Sequence, residues 1–163
     1  GRYLTMLTAL QTRIQTLLIA HTWFQDDGVE IITEETGDFV NRLDRVVGEL
    51  KGLAVLVMTP AGQPEGQPGT FKVNLRMEPM VWLAELYNFN RTGKRARDGV
   101  VPCIQALQGQ WCGVGNENAG RGNSNIFACQ GFAQQGDDDG ALAIYQVRFG
   151  CAINLSAGQL PAS

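Results

Sequence analysis

The sequence predicts a single α+β domain in which an antiparallel-rich mixed β-sheet packs against two or three helices. Three patterns indicate this fold class: segments with apolar residues at three- and four-residue steps, segments that alternate apolar and polar residues, and one solidly apolar segment. The 163 residues are enough for one domain with a proper core. We expect this domain to span residues 1–155, with its helices against one face of the sheet, and a short polar tail to cover residues 156–163.

Helical spacing occurs in three segments. Residues 3–18 carry leucine and isoleucine on one side and uncharged polar residues on the other, which predicts an opening helix. A second apolar stripe follows Asp38 and ends at Gly52, a common residue just after a helix. The third helix contains Pro102, which is tolerated in or near a first turn, so this helix is predicted to begin around Asp98.

Besides residues 70–92, which are discussed next, four segments have the patterns of β-strands. Val29–Thr33 is a short strand candidate, and residues 53–58 are solidly apolar, which predicts a strand that is covered on both faces. Residues 126–133 and 141–155 are predicted to form a hairpin, and the second of these two strands alternates most regularly. Residues 60–69 are rich in proline and glycine, so we predict a flexible hairpin loop there.

The most informative strand prediction covers residues 70–92. The first half alternates apolar and polar residues, whereas both faces become apolar after Pro79. At ~3.3 Å per residue a straight strand of this length would span roughly 65 Å, so it must bend, and Pro79 lacks a ladder donor. The doubly apolar half contains Met80, Trp82 and Leu86. We interpret these three residues as an assembly surface that meets a neighbouring molecule.

The composition also indicates extensive protein contacts. Charged residues make up 18% of the chain, below the roughly 25% of typical globular domains, and hydrophobic residues make up 44%. Scarce charge and abundant apolar surface are typical of a subunit in an assembly, although an ordinary glycine-rich monomer is an alternative. The net charge of −3 argues against general affinity for nucleic acid. No apolar stretch reaches membrane-spanning length and no signal peptide opens the sequence, so we expect no membrane contact.

A basic cluster stands out in this weakly charged chain. Its four cations occupy seven residues: Arg91, Lys94, Arg95 and Arg97. Such charges repel one another unless water, an acidic neighbour or phosphate screens them. Three interpretations follow: a solvated loop, a salt bridge between subunits, or a contact with DNA.

The sequence predicts neither a catalytic site nor a bound metal or cofactor. The four cysteines have no C-x-x-C spacing and match no zinc template, so we expect reduced, unligated thiols: Cys103, Cys112, Cys129 and Cys151. His21 is the only histidine. A thiol-dependent enzyme, the alternative from another functional class, would need His21 beside Cys103 or Cys112.

Four of the predicted segments together resemble a known family. They are residues 53–58, residues 73–92 with the turn Asn90-Arg91-Thr92-Gly93, the helix that reaches residues 107–111, and residues 144–155. In order and type, and over about two thirds of the chain, these elements resemble those of the tail terminator and neck proteins of tailed bacteriophages.

The resemblance implies a structural virion protein. Similar proteins have an α/β subunit with a mixed sheet, and they form a hexameric ring that caps the tail tube and joins it to the head-neck connector. The implied partners are copies of the chain itself, the tail tube protein and the connector protein, with a passing contact with genomic DNA. The implied location is the virion, after assembly in the host bacterial cytoplasm. Another ring component of a phage or contractile tail, such as a baseplate or tube-initiating protein, remains an alternative.

Overall fold

The longest strand, β7 (Leu142–Ser156), is the centre of a curled and mostly antiparallel sheet. The computed structural model describes residues 2–34, 38–65, 72–114, 125–136 and 142–156. Within these ranges seven strands form the sheet: β1 (Val29–Thr33), β2 (Leu53–Val57), β3 (Ala61–Glu65), β4 (Lys72–Glu78), β5 (Met80–Leu86), β6 (Ala128–Gly136) and β7 (Leu142–Ser156). The described chain is one mixed α+β domain, as predicted.

Among the described residues, three helices accompany the sheet: α1 (Arg2–Ala20), α2 (Phe39–Asp44) and α3 (Val100–Leu107). A π-helical segment, Arg45–Glu49, continues α2 directly, and the backbone N–H of Leu50 donates to the carbonyl of Arg45 at 2.9 Å. A short 3₁₀ turn, Arg97–Gly99, precedes α3 and places Pro102 in the first turn of that helix, where proline is tolerated.

The long strand is interrupted at Pro79, the position where the sequence predicts a bend. Strands β4 and β5 lie on either side of this residue, and both pair antiparallel with β7. Because proline has no N–H, the ladder is interrupted there, while the carbonyl of Pro79 still accepts a 2.9 Å hydrogen bond from Phe149. The long strand therefore runs along β7 in two segments.

Part of the predicted loop 60–69 is a strand. β3 pairs antiparallel with β4, from Ala61 opposite Glu78 to Glu65 opposite Asn74. All five residues of β3 are exposed. They lie at the sheet edge, where Pro64 is acceptable because an edge strand can do without one ladder donor. Without a buried face, β3 has no apolar alternation that sequence reading could detect, and residues 66–69 lie outside the described part of the chain.

The prediction that all helices lie on one face of the sheet is wrong. The first face packs against α1 and α3, in a core that includes Leu10, Ile14, Leu83 and Phe149. The opposite face packs against α2 and its π-helical continuation, with buried Ile32, Val46, Val47, Ala54 and Leu56. All five residues of β2 are buried, so this strand needs cover on both faces, and α2 supplies the second cover.

The last strand of the described chain ends close to the predicted start of the polar tail. Ser156 is the last residue of β7, and residues 157–163 of the predicted tail lie outside the described residues. Along β7 the inward side chains alternate as expected, since Val147, Phe149 and Ile153 are all fully buried. This regular burial explains why the last strand was readable from the sequence.

Candidate functional site

The second face of the sheet is only partly covered, and an apolar groove runs beside α2. Its volume is about 420 Å³. The helical wall contains Phe39, Leu43 and Val47. The opposite wall is formed by the sheet and contains Trp82, Leu86 and Ile144. The groove exists because the helical segment from Phe39 to Glu49 is too short and narrow to cover β5 and β7 as well as β1 and β2.

The alternation of side chains along strand β5 determines which of its residues line this groove. Val81 and Leu83 point to the first face and are fully buried in the main core. Trp82 and Leu86 belong to the second face and are only partly buried. Two of the three residues that we predicted to form an assembly surface therefore line one groove. The third, Met80, pairs with Arg148 and lies beyond the lining that the described residues form.

The groove has three local features that the sequence did not reveal. Gly48, in the π-helical turn, borders the groove, and a Cβ built on it meets no atom within 4 Å. Asp44 contributes the one charged side chain among the lining residues that the structure describes. This side chain is exposed and forms no ion pair within the described chain. Trp82 contributes a buried indole N–H that has no hydrogen-bond partner among the described residues.

The four cations of the basic cluster have different surroundings in the fold. The Lys94 ammonium lies 3.3 Å from the carboxylate of Asp26 and 4.6 Å from the ring centroid of Trp23. The Arg95 guanidinium lies 3.7 Å from the carboxylate of Glu85. These two cations are thus paired with acidic groups of the same chain.

Asn90 holds the turn that carries these charges. Its side-chain amide donates to the carboxylate of Glu85 and, at 2.8 Å, to the carbonyl of Lys94. Its side-chain oxygen accepts from the backbone N–H of Thr92 at 2.9 Å, as Asn does in turns. The turn is therefore fixed to the end of β5 by a hydrogen-bond network on a buried carboxylate.

Arg91 and Arg97 differ from the other two cations because both are exposed. The side chain of Arg91 forms no ion pair with any residue that the structure describes. Arg97 lies 3.9 Å from Asp98, and both side chains are largely exposed, so this pair contributes little. These two arginines are the members of the cluster that are available to another molecule.

A second cavity, of about 320 Å³, lies between this turn and the hairpin β6–β7. It is more polar than the groove, since Glu85, Tyr87, Arg97 and Tyr145 contribute to its lining. Glu85 is 1% exposed and already holds Asn90 and Arg95, so its charge is largely matched within the chain.

His21 and the thiols are engaged with other groups. The Nδ1 atom of His21 accepts from the backbone N–H of Trp23 at 3.2 Å, and Nε2 lies 3.1 Å from Oε1 of Gln105. Both ring nitrogens therefore have partners other than a thiol. Burial raises the pKa of Cys103 far above its usual range, which keeps this thiol protonated.

Cys112 and Cys151 form a hydrogen-bonded pair of thiols. The hydrogen bond from Cys151 lowers the pKa of Cys112 to about 7, although burial acts in the opposite direction. The same contact, together with burial, raises the pKa of Cys151. Cys112 is fully buried and Cys151 is 6% exposed, so the pair is shielded from solvent in the folded chain. All four cysteines are free.

Comparisons with protein family models and with curated proteins gave no match for this chain. Within the described ranges, no three His, Cys, Asp or Glu side chains are grouped so that they could hold a metal ion. No helix of the described chain is long and apolar enough to cross a membrane. The groove and the exposed part of the basic turn are therefore the surfaces of the described chain that are open to another molecule.

Proposed function

We propose that this protein is a structural subunit that assembles with copies of itself into a ring at the end of a phage tail tube. In the virion, the ring joins the tube to the head-neck connector. The observation that carries the proposal is the open apolar groove, in which Trp82 and Leu86 remain partly exposed beside the fully buried strand β2. Apolar surface of this kind marks sites of protein contact, and its burial contributes ~25 cal/mol per Å².

The order of elements supports the assignment to a tail ring. The segments that resemble tail terminator and neck proteins correspond to β2, the bent pair β4–β5, α3 and β7. The turn that contains Asn90 and Arg91 follows β5 directly and is held by internal hydrogen bonds. Exposed Arg91 and Arg97 are available for acidic groups of a neighbour or, in passing, for the phosphates of genomic DNA.

Assembly can be tested on the purified chain. We expect its mass, measured by light scattering, to increase with concentration, and we expect electron microscopy to show closed rings. Incubation with isolated tail tubes and with connectors should give complexes that contain the ring at the tube end nearest the head. Rings that bind only the opposite end of the tube would indicate a baseplate or tube-initiating component. A chain that stays monomeric at every concentration and binds neither partner would contradict the proposal.

A further inference from the structure

We propose that the ring contact is made by Phe89 of one copy, which inserts into the groove of a second copy, with Arg91 of the inserting turn beside Asp44 at the groove rim. This inference rests on the proposed assembly and adds the identity of the two complementary surfaces. We call residues 87–91 the docking turn. The groove and the docking turn are different patches, so their contact is heterologous and repeats from copy to copy.

The groove requires an apolar occupant that another molecule supplies. Its walls are formed almost entirely by apolar side chains, and its volume of about 420 Å³ leaves room for an aromatic side chain. Open space above Gly48 extends the groove beside the π-helical turn. An aromatic ring in this space would remove Trp82 and Leu86 from water together with its own surface.

The docking turn supplies such a ring in a fixed position. Phe89 is 56% exposed, and the ammonium of Lys51 lies 5.3 Å from its ring centroid. The backbone N–H groups of Phe89 and Asn90 both donate to the carbonyl of Leu86 at 2.9 Å. The turn is thus already ordered before docking, which lowers the entropy cost of binding.

Charge complementarity selects the docking turn over the other exposed apolar residues. Arg91 lies two residues from Phe89, and Asp44 lies at the groove rim, and neither side chain has an ion pair in the described part of the chain. Phe132 is also exposed, and it lies opposite Val147 of β7, so these two side chains are on the same face of the sheet. The neighbouring cation, Arg148, follows Val147 directly and therefore lies on the other face. Only the docking turn joins a projecting ring to an available cation within the described ranges.

Two substitutions can be used to disable the groove and the docking turn one at a time. Gly48→Leu adds an apolar side chain at the groove, where a Cβ meets nothing within 4 Å, and is expected to occupy the space that the ring would take. Phe89→Ser removes the inserting ring from an exposed turn. Each variant alone should associate at least about tenfold more weakly than the unmodified chain, as expected for a central aromatic anchor. Val101→Ser is the matched control, because Val101 is 60% exposed on α3, away from both surfaces, and its loss should leave assembly unchanged.

Mixing the two variants gives the decisive result. The Phe89→Ser chain keeps an intact groove and the Gly48→Leu chain keeps an intact docking turn, so one contact can form between them. We expect a one-to-one pair that grows no further, detected by light scattering and by native mass spectrometry. If Gly48→Leu does not fold, as judged by circular dichroism, Asp44→Arg replaces it, because this exposed change places a like charge against Arg91.

The possible failures are distinguishable. Unchanged assembly of both variants, or no pair on mixing, would overturn the docking contact and leave the proposed ring in place. Failure of the unmodified chain to assemble, with or without tail tubes, would overturn the ring and with it the contact.

Discussion

The guanidinium of Arg95 lies 3.7 Å from the carboxylate of Glu85, a side chain that is 1% exposed. The same guanidinium lies 4.9 Å from the ring centroid of Tyr87 and donates to the Tyr87 carbonyl at 2.5 Å. A cation that appeared to be part of an external cluster in the sequence is therefore part of the structure that holds the turn on β5.

Replacement of Arg95 by Ala should destabilise the folded subunit. The buried carboxylate of Glu85 would lose its cation, and we expect a loss of about 2 kcal/mol in the free energy of unfolding. Arg97→Ala, at an exposed position, should change this free energy by less than about 0.5 kcal/mol. Urea denaturation followed by circular dichroism measures both values. Equal effects of the two substitutions would show that the internal pair has no special role.

Reciprocal charge reversal tests the pairing of Asp44 with Arg91. Asp44→Lys and Arg91→Glu should each weaken association, because each places like charges across the contact. The chain that carries both substitutions should recover association, and the recovery should diminish at high salt. Light scattering at low and high ionic strength gives the comparison. Additive losses in the doubly substituted chain would argue against this pair.

Gly48→Ala should stabilise the helix that borders the groove. Glycine within a helix costs roughly 0.5–1 kcal/mol relative to alanine, and the added methyl group meets no atom within 4 Å. A rise in the thermal midpoint of unfolding would report the gain. Gly99→Ala serves as a contrast, since a Cβ there would lie 2.9 Å from the Trp23 ring, and this variant should unfold at a lower temperature.

The pair Cys112–Cys151 predicts a pH-dependent stability. The hydrogen bond from Cys151 lowers the folded-state pKa of Cys112 from 9.0 to about 7, so between these values the unfolded chain holds a proton that the folded chain has lost. Stability should therefore rise with pH in this window, by at most about 3 kcal/mol, and fall above it, where the raised pKa values of Cys103 and Cys151 act in the opposite direction. Urea denaturation between about pH 6 and about pH 9 should show the rise, and Cys112→Ser should abolish it. Cys129→Ser should retain it.

All four thiols should be reduced and unligated in the purified protein. Alkylation of the unfolded chain should give the same mass with and without prior reduction. In the folded chain Cys129 should react first, because it is partly exposed whereas the other three are buried. A stoichiometric disulfide or a bound zinc ion would contradict the expectation.

The sequence allowed correct prediction of the elements that have a regular burial pattern. The alternation of β7 and the missing donor at Pro79 are local properties, and both were read correctly. β3 was missed because a fully exposed edge strand has no buried period. The position of α2 on the second face was also missed, although the doubly apolar β2 already required cover there.

For the candidate site, the sequence indicated apolar residues but not the partners of the charged ones, and the role of this surface in assembly stays a prediction. Trp82 and Leu86 were expected in an assembly surface because both faces of their strand are apolar, and both line the groove. The internal partners of Lys94 and Arg95 could not be predicted from the sequence, since only the folding of the chain brings the turn close to Asp26 and Glu85. Gly48 could have been noticed in the sequence as a small residue within an apolar helical stripe.

The position of β7 in the chain also governs when the sheet can close during synthesis. One edge of this strand pairs with β5 and then β4, and its other edge pairs with β6. The backbone N–H and C=O groups of these three strands that bond to β7 therefore have no partner before β7 is present. Until residue 156 has left the ribosome, the nascent chain presents unpaired strand edges next to the apolar residues of β2 and β5. Such edges readily pair with other chains, which makes early protection by a chaperone valuable for this protein.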